Sequence, residues 1–307
     1  MHFKAVNNCF FPEYTFFDRE LMTNEEGIKY ITVLTWAFLG IISVALNSTL
    51  LIFIAINKKY HKSSTNLLIL WCFAFNLLNT VLNFPVMIWG ELNADKTLSC
   101  FSRVTCLSVL YLSIHGSATV LALVSIDRYW QMKKKTISVD INTRLRQAKS
   151  RFIYYSIFIW IITLSGTILR IVEPETRVLP CLVGVAIVMV TLFYLLIIKM
   201  MKTETTGTTS GRTGTQKYVH NVIIWLLVTF VATWLPSMIF GSLRHTMLDQ
   251  SSELRRVILW GTKTVALGVV IDPMVYLKTY KSVRLHLKRR VKCLMSSIIN
   301  RDDPGTR

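Results

Sequence analysis

Charged residues are scarce inside the apolar stretches of this sequence, so the few that occur there are the first candidates for chemistry. Asp127-Arg128-Tyr129 closes one apolar run, and Lys263 and Asp272 lie within another. An ionisable group in hydrocarbon costs about 2.5–3.5 kcal/mol on insertion scales, so a functional role is its default reading. Catalysis is not the role they fit. None of the six histidines pairs with another at metal-ligand spacing, and no glycine-rich phosphate loop occurs. An intramembrane enzyme needs clustered ionisable groups, and only Asp272 and Lys263 are on offer. No enzyme, metal or cofactor is expected. The cysteines (Cys9, Cys72, Cys100, Cys106, Cys181 and Cys293) are too few and too scattered for a disulfide scaffold.

The elements that carry these residues follow from composition. Of 307 residues, 52% are hydrophobic and 17% charged, against about 25% charged in an ordinary soluble domain. The apolar residues come in blocks that are apolar nearly all round, which excludes a water-soluble bundle of amphipathic helices. A helix needs about 20 such residues to cross a hydrocarbon core. Seven candidates occur, at 31–56, 65–89, 104–126, 152–172, 181–201, 218–240 and 257–277. Backbone groups in lipid must be satisfied within the segment, so each is expected to be helical. The expected fold is all-α: an extracellular segment 1–30, a seven-helix bundle over 31–277 and a cytoplasmic tail 278–307. Residues 1–30 hold Glu13, Asp18, Glu20, Glu25 and Glu26 but no signal-peptide core, so the first span is expected to direct insertion.

The net charge of +18 would suit nucleic acid if it were spread over the surface, but it is not. Connections 57–64, 127–151, 199–218 and the tail hold 24 Lys and Arg against five acids. The opposite set, 1–30, 90–103, 170–180 and 241–256, holds 10 against 11. The basic side is therefore expected to be cytoplasmic, with the N-terminus outside. This leaves no part for nucleic acid and gives the basic side anionic lipid or an acidic protein as neighbours. Residues 203–216 form a Thr/Gly/Ser-rich linker. In the tail, Val283, Leu287, Val291, Leu294 and Ile298 recur among Lys281, Arg284, Lys288, Arg289 and Lys292. That pattern predicts a short basic amphipathic helix on the membrane surface. No internal repeat of the kind many transporters carry is evident.

Three motifs stand in the third, sixth and seventh spans. The third span ends in Asp127-Arg128-Tyr129. The sixth reads Phe230-Val231-Ala232-Thr233-Trp234-Leu235-Pro236, and the seventh ends Asp272-Pro273-Met274-Val275-Tyr276. Proline inside a helix removes a backbone hydrogen bond and bends it, a defect that membrane helices tolerate. Together these motifs resemble the rhodopsin-like class of G-protein-coupled receptors, over essentially the whole chain. Asn47, Pro85, Trp160 and Tyr194 fit the same pattern in the first, second, fourth and fifth spans.

The resemblance implies a signalling role and a heterotrimeric G protein as partner. Arg128 would be the switch, held by Asp127 at rest. Trp234 would be a toggle beneath the ligand with Phe230 below it, Pro236 and Pro273 would supply hinges, and Tyr194 and Tyr276 would swing inward. A core polar network would join Asn47, Asn76, Ser117 and Asp272, although Asn76 and Asp272 exchange the acid and amide of the usual pattern. An outer pocket would include Arg103, Leu110, Tyr111, Arg170, Trp234 and Lys263. Leu110 stands where amine receptors carry an aspartate and Ala266 where opsins carry the retinal lysine, so neither ligand is implied. The ligand would be another small molecule or a peptide, and the cationic groups suit a carboxylate or phosphate.

The resemblance also implies a disulfide from Cys181 to Cys100, with Cys9 left open as another partner. Cys293 would be a palmitoylation candidate. The hydroxyls of the 203–216 linker would admit a receptor kinase and arrestin. The expected location is the plasma membrane. A transporter or channel using Asp272 and Lys263 is the alternative; it gives the Asp127-Arg128-Tyr129 motif nothing to do.

Overall fold

The computed structural model describes residues 26–57, 60–93, 100–133, 141–172, 178–205 and 265–279. It also describes single positions between 225 and 236, and 284, 285, 289 and 296. The long elements are α1 (Glu26–Ile56), α2 (Ser64–Leu92), α3 (Cys100–Lys133), α4 (Ile141–Val172), α5 (Val178–Thr205) and α6 (Val265–Thr279). The last corresponds to the seventh apolar run. The sixth run is helical at Trp225, Val228, Thr229, 231–233, Leu235 and Pro236. Among the described residues, four helices are long and apolar enough to cross a membrane.

Helices outrun the apolar runs at their ends. Residues 127–151, read as one connection, contribute the last turns of α3 and the first turns of α4, which begins at Ile141. Hydropathy reports where lipid is, whereas Arg144, Arg146, Lys149 and Arg151 are charged residues that a helix accepts readily once it leaves lipid. Likewise α5 begins at Val178, before the fifth apolar run opens at Cys181.

A tight turn joins the first two helices. The Asn57 amide donates to the Phe53 carbonyl and the Tyr60 amide to the Asn57 carbonyl, and a 3-10 turn spans Tyr60–Lys62. The Tyr60 ring then packs edge-on against Phe53, with centroids 5.3 Å apart. From there α3 takes the central place, packed on α2, α4 and α5, while α1 and α6 pair with each other and with α2. The approach of α2 to α3 depends on Gly116, where an added Cβ would lie within 2.5 Å of the Phe75 ring.

Large apolar side chains cover the outside of the bundle as well as filling its core, unlike in a soluble protein. On α4, Ile153, Tyr154, Ile157, Phe158, Ile161, Leu164 and Ile168 are exposed, and on α5 Val185, Val188, Leu192 and Leu195. Each such group would forgo about 1.5–3 kcal/mol by facing water, so these stripes fit a lipid solvent. The interior, conversely, holds Ser43, Asn47, Asn76, Asn79, Thr80, Asn83, His115, Ser117 and Asp127. Several hydroxyls donate back along their own helix, such as Thr80 to the Asn76 carbonyl and Ser125 to the Leu121 carbonyl. That arrangement keeps polar groups satisfied without water. The chain is a helical membrane protein.

Candidate functional site

Two buried polar clusters flank the core of the bundle, and each is built around one carboxylate. The first gathers at Asp127, more than a turn before α3 ends. Its Oδ2 accepts from Ser64 Oγ and Thr65 Oγ1 at 2.7 Å each, from the start of α2, and from Gln131 Nε2 at 2.6 Å. Gln131 also donates to both hydroxyls, at 3.1 and 3.2 Å. Oδ1 faces Arg151 Nη1 of α4 at 3.3 Å. The side chain of Asp127 is 0% exposed and that of Arg151 31%. Four residues from three helices thus converge on one carboxylate.

The expected holder of Arg128 is therefore engaged elsewhere. No hydrogen bond or ion pair joins Asp127 to Arg128 among the described residues; the Asp127 ion pair runs to Arg151 instead. Consecutive helical residues point about 100° apart, whereas α4 meets α3 on the flank that Asp127 occupies. Arg128 is half-buried, and its Nε has no hydrogen-bond partner among the described residues. Beside it, the Tyr129 ring lies 5.5 Å from Phe193 of α5, the residue next to the half-buried Tyr194.

The second cluster starts from a proline. Pro273 has no N–H, so the Val269 carbonyl one turn earlier loses its helical donor. A buried carbonyl must be satisfied by something else. Asn47 Nδ2 of α1 reaches it at 2.9 Å and Ser43 Oγ at 3.2 Å. Asn47 also donates to the Ser43 carbonyl and hydroxyl at 2.8 and 3.0 Å. The Ser43 and Thr80 hydroxyls are 2.7 Å apart, and Thr80 donates to the Asn76 carbonyl. Asn76 Nδ2 then donates to Asp272 Oδ2 at a long 3.4 Å. The chain of bonds runs α1 to α6 and back through α2. Asn47, Asn76 and Asp272 are brought together in it. Ser117 is buried nearby, but its hydroxyl makes no hydrogen bond among the described residues.

The remaining expected residues divide by location. Tyr276 is fully buried with its ring edge-on to Phe73 at 5.3 Å. Leu110 and Tyr111 are half-buried on α3, and Tyr111 stacks on the buried His115 with centroids 6.5 Å apart. Pro236 is helical and half-buried. Thr233 lies against α6, where an added Cβ on Gly268 would come within 3.1 Å of its hydroxyl. Trp160 packs edge-on to Trp71 at 5.4 Å, and Trp71 Nε1 donates to Ser156 Oγ at 2.9 Å. Phe230, Trp234, Lys263 and Cys293, and the side chains of Cys100, Arg103, Arg170 and Cys181, lie outside the described residues. Cys72 and Cys106 are buried free thiols. No group of three or more metal-ligating side chains occurs among the described residues.

Sequence reasoning missed Ser43, Thr80, Ser64, Thr65, Gln131 and Arg151. Gln131 and Thr80 had a signal, since each sits one helical turn after a residue already singled out, Asp127 and Asn76. The others come from separate helices and are set by tertiary packing.

No family model matches the chain. Among characterised proteins, it is 24% identical to G-protein coupled receptor 183 of Bos taurus. The likeness spans 92% of this chain and 88% of that protein. It is a likeness to a receptor. At that identity it supports a G-protein-coupled receptor in general terms, and it runs through both carboxylate clusters rather than one end of the chain.

Proposed function

We propose that this protein is a rhodopsin-like G-protein-coupled receptor of the plasma membrane, with its N-terminus outside and its tail in the cytoplasm. An extracellular ligand, a peptide or a small molecule, binds among the outer parts of the helices. Activation is passed to a heterotrimeric G protein at the end carrying Arg128. The observation that carries this reading is the placement of Arg128 near the C-terminal end of the central helix α3. It stands beside a carboxylate that is buried and engaged by its own helix and by two others, α2 and α4. Such a site has partners that can be exchanged, which is what a two-state switch requires. The near full-length likeness to a receptor supports the same reading.

In this account Trp234 and Phe230 respond to ligand, and the sixth helix bends at Pro236 and swings away from α6. Tyr194 and Tyr276 follow it. The close approach of Thr233 to Gly268 and the Lys278 ammonium 5.6 Å over the Trp225 ring are contacts which that motion would break. The outer cations Arg103, Arg170 and Lys263 favour an acidic ligand, and Cys100 with Cys181 ties α3 to the start of α5. The hydroxyl-rich stretch 203–216, whose first residues still belong to α5, and Cys293 serve a receptor kinase, arrestin and lipid attachment. The test is a screen of candidate ligands in cells with a G-protein readout, run alongside solute flux into liposomes holding the purified protein. Ligand-dependent nucleotide exchange without flux is the expected result. Flux without exchange would establish a transporter and remove the receptor reading.

A further inference from the structure

Two arginines stand near one carboxylate, and only one of them holds it. Asp127 Oδ2 is filled by Ser64, Thr65 and Gln131, at 2.6–2.7 Å. That leaves Oδ1 as the seat for a cation. Arg151 takes it at 3.3 Å, and Oδ1 has no hydrogen bond from any other described group. Arg151 is itself well placed for this purpose: its own Nε is buried without a hydrogen-bond partner among the described residues, so Asp127 is the counter-charge it has. Arg128, next in sequence to the carboxylate, is not paired with it.

We infer that Arg151 is a positioning residue that sets the resting balance of the switch, by occupying Asp127 Oδ1 and so keeping Arg128 available to the intracellular partner. The inference rests on the receptor reading above. Its physical basis is competition. A carboxylate with one oxygen already saturated can form one close pair through the other, and the cation that loses it must find another partner. While α4 supplies the cation, the state in which Asp127 restrains Arg128 is disfavoured. The expected consequence is signalling in the absence of ligand. Removing the Arg151 cation hands Oδ1 to Arg128 and lowers that basal signal. The arrangement also ties basal activity to α4, a helix that carries none of the three motifs.

The experiment uses the full chain in lipid nanodiscs with a panel of purified heterotrimeric G proteins. It measures the uptake of a fluorescent GTP analogue with no ligand added. Arg151→Gln is expected to lower basal exchange by about fivefold or more, the lower end of ordinary coupling between sites. Arg151→Lys, which keeps the charge, should restore most of it. In the Asp127→Asn background, Gln and Arg at 151 should give the same rate, because the seat they compete for has lost its charge. Unchanged or increased exchange in Arg151→Gln would overturn the inference, as would a fall that persists undiminished in the Asp127→Asn background. If no variant, Asp127→Asn included, supports exchange with any G protein, it is the receptor reading that fails. Melting curves for the four proteins of the cycle then still show whether the pair exists: non-additive shifts are expected, and additive ones would remove the pair itself.

Discussion

Asp127 and Asp272 are both carboxylates in a polar-lined bundle, yet they are held in opposite ways. Asp127 is fully enclosed, with three short hydrogen bonds on one oxygen and an arginine on the other. Asp272 is half-buried and has a single amide at 3.4 Å among the described residues. The first site is saturated and well braced. The second leaves most of its acceptor capacity open, at the end of a hydrogen-bonded chain linking α1, α2 and α6. The contrast separates two kinds of acid: one that gains a new partner only by losing an old one, and one whose environment leaves room for a proton or an ion.

The largest effect should come from the saturated site. Asp127→Ala strands Arg151 and three donors, and losing one partner of a buried pair costs about 3–5 kcal/mol. The partial exposure of Arg151 places the expectation near the low end. Asp272→Ala should cost about 1 kcal/mol, the worth of one hydrogen bond. Melting temperatures of the two variants in detergent would measure the difference, and a larger drop for Asp272→Ala would reverse the comparison.

A smaller effect tests why the second cluster exists. Asn47→Ala takes one donor from the Val269 carbonyl and should cost about 1–2 kcal/mol. Pro273→Ala returns a helical N–H to that carbonyl. The Asn47→Ala penalty should therefore shrink in the Pro273→Ala background, with a coupling of about 1 kcal/mol. Equal penalties in both backgrounds would mean that the proline does not create the demand that Asn47 meets.

The finest expectation concerns the exchanged pair. Asp272→Asn alone leaves this chain of bonds without an acid and should impair signalling. Asn76→Asp alone puts two acids together, forcing one to hold a proton or a cation. Combining the two should recover much of the loss, with a coupling of at least about 0.5 kcal/mol on G-protein activation. Strict additivity would show that the residues do not share a site.

The two clusters also differ in how legible they were beforehand. Asp272 and Pro273 stand out as an acid and a helix breaker within an apolar run, whereas Asn47 and Asn76 could be named only through the resemblance to rhodopsin-like receptors. What tied them together, the freed Val269 carbonyl and the Ser43 and Thr80 hydroxyls, was hidden. A backbone carbonyl leaves no mark in a sequence, and Ser and Thr are unremarkable in membrane helices. At Asp127 the acid was evident, but the cation it pairs with in the structure, Arg151 of α4, was not. Arg151 was counted as one more loop cation, because hydropathy cannot show that α4 starts before the lipid does. The apolar spans were legible for the opposite reason, since lipid imposes one requirement on every residue they expose. Likewise, nothing in the residue pattern marks Gly116 as the point where α2 and α3 meet.

The most direct test of the receptor account is nucleotide exchange on a heterotrimeric G protein in cells carrying wild-type protein or Arg128→Ala. Surface amounts are matched by antibody labelling, and exchange is read both without ligand and with any ligand the screen yields. The account predicts exchange above background for the wild type and its loss in Arg128→Ala at equal surface level. Arg128→Ala signalling as well as the wild type would contradict it.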